Sequence, residues 1–293
     1  MRVQVRTSSV LRFDDGEPVR AASAVVRHRG GWLVVQDDAT HAAWWHRAGV
    51  DRLRVLPPVD GLDLFDEASG TKHLKPDLEA ACAVPGGVLL LGSGSTPART
   101  RGALLLEDGS APQVLDLAVV QDAVAEALGL PRDQLNLEGA CLVGGAVRWF
   151  QRGSGGRASG SVDLQLAALL QGRPEVVASV QRLELPLVDG VALAVTDAVA
   201  LPGGLVLVSA TAEDTPNAVD DGLVVATALA VLDADGVRDL KRLPEVDGAV
   251  RKVEGLALES SGVPAGGVLR LLAVVDADDP DQPSQALRLE VSL

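Results

Sequence analysis

The chain has 293 residues, and its 40 acidic and 26 basic side chains give it a formal charge of −14. Nucleic acids and anionic membranes require a basic surface, so this charge argues against both as partners. Hydrophobic residues make up 47% of the chain, which excludes a disordered protein. The seven aromatic residues are too few for a platform that stacks bases or sugars. The N-terminus has no apolar stretch of signal-peptide length, and no apolar run approaches the roughly 18 residues of a membrane span. We therefore expect a soluble cytoplasmic protein.

Paired glycines recur along the chain at intervals of 56, 58, 59 and 63 residues, and the pairs begin at Gly30, Gly86, Gly144, Gly203 and Gly266. Each pair stands between two short apolar runs, which is typical of a β-hairpin, and two further strand-like runs follow in each unit. Four antiparallel strands repeated five times predict an all-β protein with the fold of a five-bladed β-propeller. Two stacked sandwiches are the alternative, and the even spacing disfavours them.

In chain order, we expect a first strand at residues 2–13 and then blades at residues 19–60, 75–118, 134–186, 192–244 and 250–293, all in a single domain. The last unit has only three strand-like runs, so the first strand is expected to complete blade five and close the ring. Apolar residues at helical spacing predict a helix at 118–128, between blades two and three. A closed ring has no free edge to pair, which favours a monomer. Cys82 and Cys141 are expected to be buried and reduced.

The direction of the strands alternates within a blade. The start of the innermost strand, the loop between the second and third strands, and the connection between blades therefore share one face, called the loop face below. The longest loops of the sequence fall on this face. Because function concentrates in long loops on a rigid scaffold, the candidate site is placed on the loop face, over the central tunnel.

Alignment of the units on their glycine pairs places an acidic residue at the start of four inner strands. These residues are Glu79, Glu138, Asp197 and Glu254, and Ser23 takes the fifth position. Carboxylates that face one another across a narrow tunnel need a cation, a proton or hydrogen-bond donors. Oxygen ligands in a flexible ring suit Ca²⁺, with Mg²⁺ or Mn²⁺ as alternatives. The competing interpretation is structural: each carboxylate accepts backbone N–H groups from the next blade.

Basic residues lie near some members of this ring, namely Lys75, Arg99, Arg101, Arg251 and Lys252. They are candidates for binding an anionic group such as phosphate or carboxylate, and the alternative is that they only solubilise the loops. His73 precedes Lys75 and Glu79 closely and is a candidate for proton transfer. Glu79 and Glu254 are the candidate catalytic carboxylates.

Three inner-strand segments, PDLEAACAVPGG, NLEGACLVGG and KVEGLALE, resemble the signature of phytase-like and esterase-like bacterial β-propellers. The resemblance covers three of the five blades and does not extend to the loops. It carries over Glu79, Glu138 and Glu254, whereas Asp197 and Ser23 depart from it. It implies calcium and phosphoester or ester substrates, as found in some members of those families, and five-bladed calcium-dependent nucleotidases are a looser likeness.

Two hypotheses for the function follow. The first is a metal-dependent hydrolase of a small phosphorylated or ester-bearing substrate, in which Glu79, Glu138, Asp197 and Glu254 hold a divalent cation. The second is a non-catalytic binding or scaffold propeller, in which the acidic loops at residues 209–222 and 275–285 recruit a protein partner. The symmetry of the ring and the lack of a unique nucleophile support the second hypothesis, and the resemblance supports the first.

Overall fold

A computed structural model of the protein describes residues 1–153, 158–214, 222–260, 267–277, 279 and 282–293. Gly266 and parts of the two acidic loops (215–221, 278, 280 and 281) lie outside the described residues. Within the described ranges, five antiparallel sheets form a five-bladed β-propeller, so the predicted fold is confirmed.

The chain begins with β1 (Arg2–Val10). Blade one contains β2 (Ala22–His28), β3 (Gly31–Gln36), β4 (His41–His46) and β5 (Gly49–Arg54). Blade two contains β6 (Leu78–Val84), β7 (Gly87–Gly92), β8 (Arg101–Leu106) and β9 (Gln113–Asp116), and α1 (Ala118–Leu128) follows it. Blade three contains β10 (Leu137–Val143), β11 (Ala146–Gln151), β12 (Ser159–Gln165) and β13 (Val176–Leu183), with the short α2 (Leu166–Leu169) after β12. Blade four contains β14 (Leu187–Val188), β15 (Val191–Ala200), β16 (Val206–Asp214), β17 (Leu223–Asp233) and β18 (Gly236–Arg242). Blade five contains β19 (Lys252–Leu258), β20 (Val268–Asp276) and β21 (Gln285–Ser292).

The N-terminal strand closes the ring as predicted. Strand β1 pairs antiparallel with β21, from Arg2 opposite Ser292 to Val10 opposite Gln285. The inner strands contact one another in the order β2, β6, β10, β15, β19 and back to β2. This ring surrounds the tunnel and brings the starts of the five inner strands together on the loop face.

Two helical segments depart from the strand pattern. Helix α1 lies where the sequence predicts a helix, and its buried Val120 and Val124 pack with residues of blades two and three. Gly129 ends it in the left-handed conformation that glycine adopts without strain. The sequence pattern of residues 161–169 predicts one continuous strand, whereas β12 ends at Gln165 and α2 follows. The Leu-Ala-Ala-Leu segment has strong helix formers, and it buries Ala168 and Leu169.

The hydrophobic core lies between neighbouring blades. One cluster joins Leu89 and Leu91 of blade two to Leu137 and Trp149 of blade three, all fully buried. Cys82 and Cys141 are buried and free, as expected. No helix among the described residues is long and apolar enough to cross a membrane.

Gly139 on β10 lies where this inner strand approaches the inner strand β15 closely. A Cβ atom at this position would lie 2.4 Å from the Cα of Asp197 on β15. Because both sides of the contact are backbone, neither can move without disturbing its strand. We expect Gly139→Ala to destabilise the protein by about 1–3 kcal/mol, measured by urea unfolding.

The matched control for this substitution is Ala80→Gly, which changes the corresponding residue of blade two in the opposite direction. It should cost no more than about 0.5–1 kcal/mol, the usual penalty for glycine in a strand. An unchanged urea midpoint for Gly139→Ala would show that the two strands can move apart to accommodate the Cβ atom without a loss of stability.

Candidate functional site

Strand register identifies the five equivalent positions at the tunnel mouth. In four blades this position is the residue that the ladder between the first two main strands skips at a bulge, namely Ser23, Glu79, Thr196 and Glu254. In blade three it is Glu138, because Leu137 opens its ladder as Leu78 opens that of blade two. The predicted fourth member, Asp197, is therefore one residue too far along the chain, and this alignment was wrong.

The error arises because the glycine pair has no fixed place in the hairpin turn. Gly144 and Gly145 are themselves the two turn residues of blade three, between Val143 and Ala146. In blade two, Gly86 is the second turn residue and Gly87 already begins β7. Counting from the glycines therefore leaves an ambiguity of one residue.

The uncharged members of this ring tie neighbouring blades together. Ser23 Oγ donates to the carbonyl oxygen of Leu78 at 2.6 Å, and Thr196 Oγ1 donates to that of Val253 at 2.6 Å. In both cases the acceptor directly precedes a ring glutamate. These hydroxyls therefore hold the strands that carry Glu79 and Glu254.

Asp197 has the structural contact that the competing interpretation expects. It is fully buried, and its Oδ2 accepts the backbone N–H of Leu256 in the next blade at 2.6 Å. Burial raises the pKa of Asp197 well above its usual value. The side chain thus joins blade four to blade five.

A group of three carboxylates lies between blades one and two on the loop face and is called the blade-two cluster. Asp37, Asp77 and Glu79 each offer an oxygen within 4.8 Å of the others. Asp37 follows the end of β3, whereas Asp77 and Glu79 flank the start of β6. Propeller topology therefore brings together residues that are about 40 positions apart in the sequence.

Two cations contact the blade-two cluster. Lys75 Nζ lies 2.5 Å from Asp37 Oδ2 and 2.7 Å from Asp77 Oδ1. Arg99 Nη1 lies 3.0 Å from Asp77 Oδ2 and donates to Ser95 Oγ at 2.8 Å. These cations lower the pKa of Asp77 despite its burial. Arg99 Nε is buried and has no hydrogen-bond partner among the described residues.

Glu79 is the unpaired member of the cluster. Its half-buried side chain makes no hydrogen bond or ion pair with any residue in the described ranges. Burial, reinforced by the charges of Asp77 and Asp37, raises the pKa of Glu79 well above its usual value. A carboxyl in this state binds a proton, or a cation that relieves the repulsion.

The remaining ring glutamates belong to an ion network across blades three, four and five. Arg152 Nη1 lies 3.0 Å from Glu138 Oε1, and its Nη2 lies 2.5 Å from Glu213 Oε2. Lys252 Nζ lies 3.7 Å from Glu213 Oε2 and 3.2 Å from Glu254 Oε1. This set, Glu138, Arg152, Glu213, Lys252 and Glu254, is called the tunnel-mouth network.

Glu138 is incompletely paired within this network. Its Oε1 accepts from Asn136 and Arg152, whereas its buried Oε2 has no hydrogen-bond partner among the described residues. Burial raises the pKa of Glu138 to about 8, against the opposing effect of Arg152. The charges of Glu138 and Glu79 also act on each other, so the two carboxyls share one electrostatic environment.

The structure thus joins some of the predicted site residues and separates others. Lys75 and Arg99 contact the blade-two cluster, and Lys252 contacts Glu254. His73 is exposed on a 3₁₀ turn, with Nδ1 3.0 Å from the carbonyl oxygen of Gly70, and it has no contact with Glu79. The structure gives no support to proton transfer by His73.

Arg101 begins β8 and takes no part in the ionic contacts of either group. Arg251 lines a separate pocket in blade five. Sequence reasoning did not assign Asp37, Asp77 or Glu213 to the site. Asp37 and Glu213 stand at the ends of second main strands, next to the loop face, and this placement is the signal that could have found them.

Replacement of Glu138 by Gln is expected to change how stability depends on pH. Because folding raises the pKa of Glu138 from its usual 4.5 to about 8, the folded protein keeps a proton that the unfolded chain releases between these values. This group therefore lowers the free energy of unfolding as pH rises through that window, and neutral Gln removes the loss. Urea unfolding near pH 5 and pH 8 should show the variant gaining on wild type at the higher pH. An equal difference in unfolding free energy between variant and wild type at both pH values would contradict a raised pKa at Glu138.

A family model and several solved structures are similar to this chain. Residues 71–280 match the model of DUF6910, a family of unknown function. A search of curated proteins found no match. The structure is similar to a glutaminyl cyclase from Myxococcus xanthus, with a TM-score of 0.50 and 11% identity over 98% of this chain and 97% of the other.

Two further structures are similar at comparable levels. A mannose phosphorylase from Leishmania mexicana, in complex with a phosphate ion, has a TM-score of 0.54 and 17% identity over 99% of this chain and 89% of its own. A glycosyl hydrolase from Bacteroides ovatus has a TM-score of 0.51 and 10% identity over 93% of this chain and 84% of its own. At such identities the likeness shows the fold alone.

Proposed function

This chain belongs to DUF6910, a family of unknown function, and we propose that it is a metal-dependent hydrolase of a small phosphorylated or ester-bearing substrate. The observation that carries the proposal is the position of Glu79. Its carboxyl lacks any partner among the described residues, and it lies beside Asp37 and Asp77 at the tunnel mouth. The same propeller fold occurs in proteins described as a glycosyl hydrolase and a mannose phosphorylase, so the fold is compatible with bond-cleaving enzymes.

Asp37, Asp77 and Glu79 are the residues that would hold the divalent cation. All three offer carboxylate oxygen, the ligand type that Ca²⁺ and Mg²⁺ prefer. Three carboxylates face two cations, Lys75 and Arg99, so the cluster would carry an excess negative charge once Glu79 gives up its proton to a bound cation. This set replaces the predicted ligands Glu138, Asp197 and Glu254, which are engaged by other partners. A bound cation would polarise the scissile group and lower the pKa of a coordinated water.

The chain's own side chains supply the remaining functions. Lys75 and Arg99, which contact Asp77, are the cations that would bind the anionic group of the substrate. Glu138 stays protonated at neutral pH because burial raises its pKa, and it serves as the general acid.

The proposed reaction is a simple hydrolysis. The oxygen of water forms a bond to phosphorus or to the acyl carbon, and the ester bond breaks. The proton of Glu138 passes to the leaving oxygen, and the proton lost by the water returns to Glu138. No covalent enzyme intermediate is required.

A substrate panel tests this proposal directly. Purified protein is assayed with p-nitrophenyl phosphate, bis-p-nitrophenyl phosphate and p-nitrophenyl butyrate, in EDTA and with Ca²⁺, Mg²⁺ or Mn²⁺ added. We expect turnover of at least one substrate, its loss in EDTA and its recovery with one cation. Absence of turnover under all conditions, or a rate unaffected by EDTA, would overturn the proposal.

A further inference from the structure

The loop at residues 93–100, between β7 and β8, carries Arg99 to the blade-two cluster and is called the arginine loop. Arg99 Nη1 lies 3.0 Å from Asp77 Oδ2 and donates to Ser95 Oγ at 2.8 Å. The other terminal nitrogen, Nη2, makes no hydrogen bond with the described residues and is not enclosed by them. Arg99 therefore keeps this donor for an anion, and its reach depends on how the loop holds the residue.

The side chain of Gln121, on helix α1, binds both ends of the arginine loop. Gln121 is fully buried, and its Nε2 donates to the carbonyl oxygen of Gly92 at 3.0 Å and to that of Arg99 at 3.4 Å. Gly92 is the last residue of β7, and Arg99 ends the 3₁₀ turn just before β8. One amide group thus spans the loop and fixes the backbone of Arg99 itself.

Arg132, on the turn that follows α1, binds the other side of this amide. Its Nη2 donates to Gln121 Oε1 at 3.2 Å, and its Nη1 donates to the carbonyl oxygen of Gly94 in the loop. Its Nε donates to Asp122 Oδ1 at 2.8 Å. Because a guanidinium only donates and a carbonyl only accepts, a single orientation of the Gln121 amide satisfies all of these partners.

Gly94 shows how closely the loop fits against this amide. Its φ is +73°, and a Cβ atom at this position would lie 2.7 Å from Gln121 Cδ. The N–H group of Gly94 also donates to the carbonyl oxygen of Arg99 at 3.0 Å. The conformation of the loop and the position of the Gln121 side chain therefore depend on each other.

The packing of α1 does not require a buried glutamine. Val120 and Val124 already supply apolar contacts with blades two and three. An apolar side chain at position 121 would avoid the cost of removing an amide from water. A fully satisfied buried polar network instead selects one conformation of the groups that it joins, and the group selected here is the arginine loop.

We propose that Gln121 is a positioning residue, which holds Arg99 where its free nitrogen binds the anionic group of the substrate. The inference rests on the proposed function, since it takes Arg99 to bind that anion. The hydrogen bonds of the Gln121 side chain go to Gly92, Arg99 and Arg132, so its effect on the site passes through the arginine loop.

Calorimetric titration of the purified protein with inorganic phosphate and with acetate, in EDTA and again with Mg²⁺, measures anion binding without turnover. The two anions distinguish a phosphate from a carboxylate. We expect one of them to bind the wild-type protein, and Gln121→Met to weaken its binding by at least about tenfold.

A double-mutant cycle tests whether Gln121 acts through Arg99. Arg99→Met should weaken anion binding at least as much as Gln121→Met does. The double variant should bind as weakly as Arg99→Met alone, because Gln121 has nothing left to position once the guanidinium is gone.

Val124→Ala is the matched control, because it removes a buried contact of the same helix in a hydrophobic cluster that contains no residue of the arginine loop. It should lower the midpoint of thermal unfolding and leave anion affinity unchanged. If Gln121→Met fails to fold, Arg132→Met decides, since a third of that side chain is exposed. It should weaken anion binding at least about threefold.

The inference is overturned if neither anion binds the wild-type protein, or if Gln121→Met and Arg132→Met bind the anion as tightly as wild type. It is also overturned if the two losses add in the double variant, or if Val124→Ala weakens binding as much as Gln121→Met. If binding follows the expected pattern and no ester is hydrolysed, the positioning role stands and the proposed reaction falls. If esters are hydrolysed and Gln121→Met leaves anion binding unchanged, the reaction stands and the positioning role falls.

Discussion

Glu79→Gln is expected to lower kcat for ester or phosphoester hydrolysis at least about 100-fold, because the loss of one cation ligand removes both affinity and orientation of the metal. The variant should remain folded. Glu79 makes no hydrogen bond or ion pair with the described residues, so the substitution breaks no structural contact. Its raised pKa also means that a neutral side chain suits the site. The measurements are kcat with the best substrate of the panel and the midpoint of thermal unfolding.

The matched control is Glu254→Gln, the same change at the equivalent ring position of blade five. Glu254 contacts Lys252 instead of the blade-two cluster. Stabilisation by the divalent cation should therefore persist in Glu254→Gln and disappear in Glu79→Gln. If Glu79→Gln keeps full activity and full stabilisation by the cation, Glu79 is not a ligand of the cation.

Lys75→Met is expected to destabilise the protein by about 3–5 kcal/mol in EDTA, because it leaves Asp37 and the buried Asp77 without their main counter-ion. A divalent cation should restore a large part of the lost free energy of unfolding, because the carboxylate oxygens that Lys75 leaves are the ones that would hold the cation. The measurement is urea unfolding in EDTA and again with each cation added.

Lys72→Met controls for the substitution itself. Lys72 is exposed and lies 3.6 Å from an exposed Glu67, so its loss should change the unfolding free energy by less than about 0.5 kcal/mol. If no cation restores the stability of Lys75→Met, Lys75 and its carboxylate partners form a purely structural ion network.

The periodicity of the sequence was sufficient to predict the fold. Paired glycines and four apolar runs per unit are local signals, and a blade is a local structure, so the count of blades and the closing strand could be deduced. The helix at 118–128 was also readable from its apolar spacing. The helical turn at Leu166–Leu169 could not be predicted in this way, because a segment of four residues is too short for its periodicity to distinguish a helix from a strand.

The site could be predicted only in part. Its place on the loop face and the carboxylates Glu79, Glu138 and Glu254 followed from repeat symmetry. Symmetry then misled at Asp197, because the glycine pair shifts by one residue between hairpins. Asp37 and Glu213 break the symmetry: they stand at the ends of β3 and β16, and the packing of neighbouring blades brings them next to Lys75 and Arg152.

The most direct test is thermal unfolding of the wild-type protein in EDTA and with Ca²⁺, Mg²⁺ or Mn²⁺ added. A cation at 100 times its dissociation constant should stabilise the fold by about 2.7 kcal/mol, and Asp37→Asn should abolish this gain. A selective rise with one cation, absent in the variant, is the predicted result. No shift with any cation, together with no metal removed by EDTA, would contradict a metal site in the blade-two cluster.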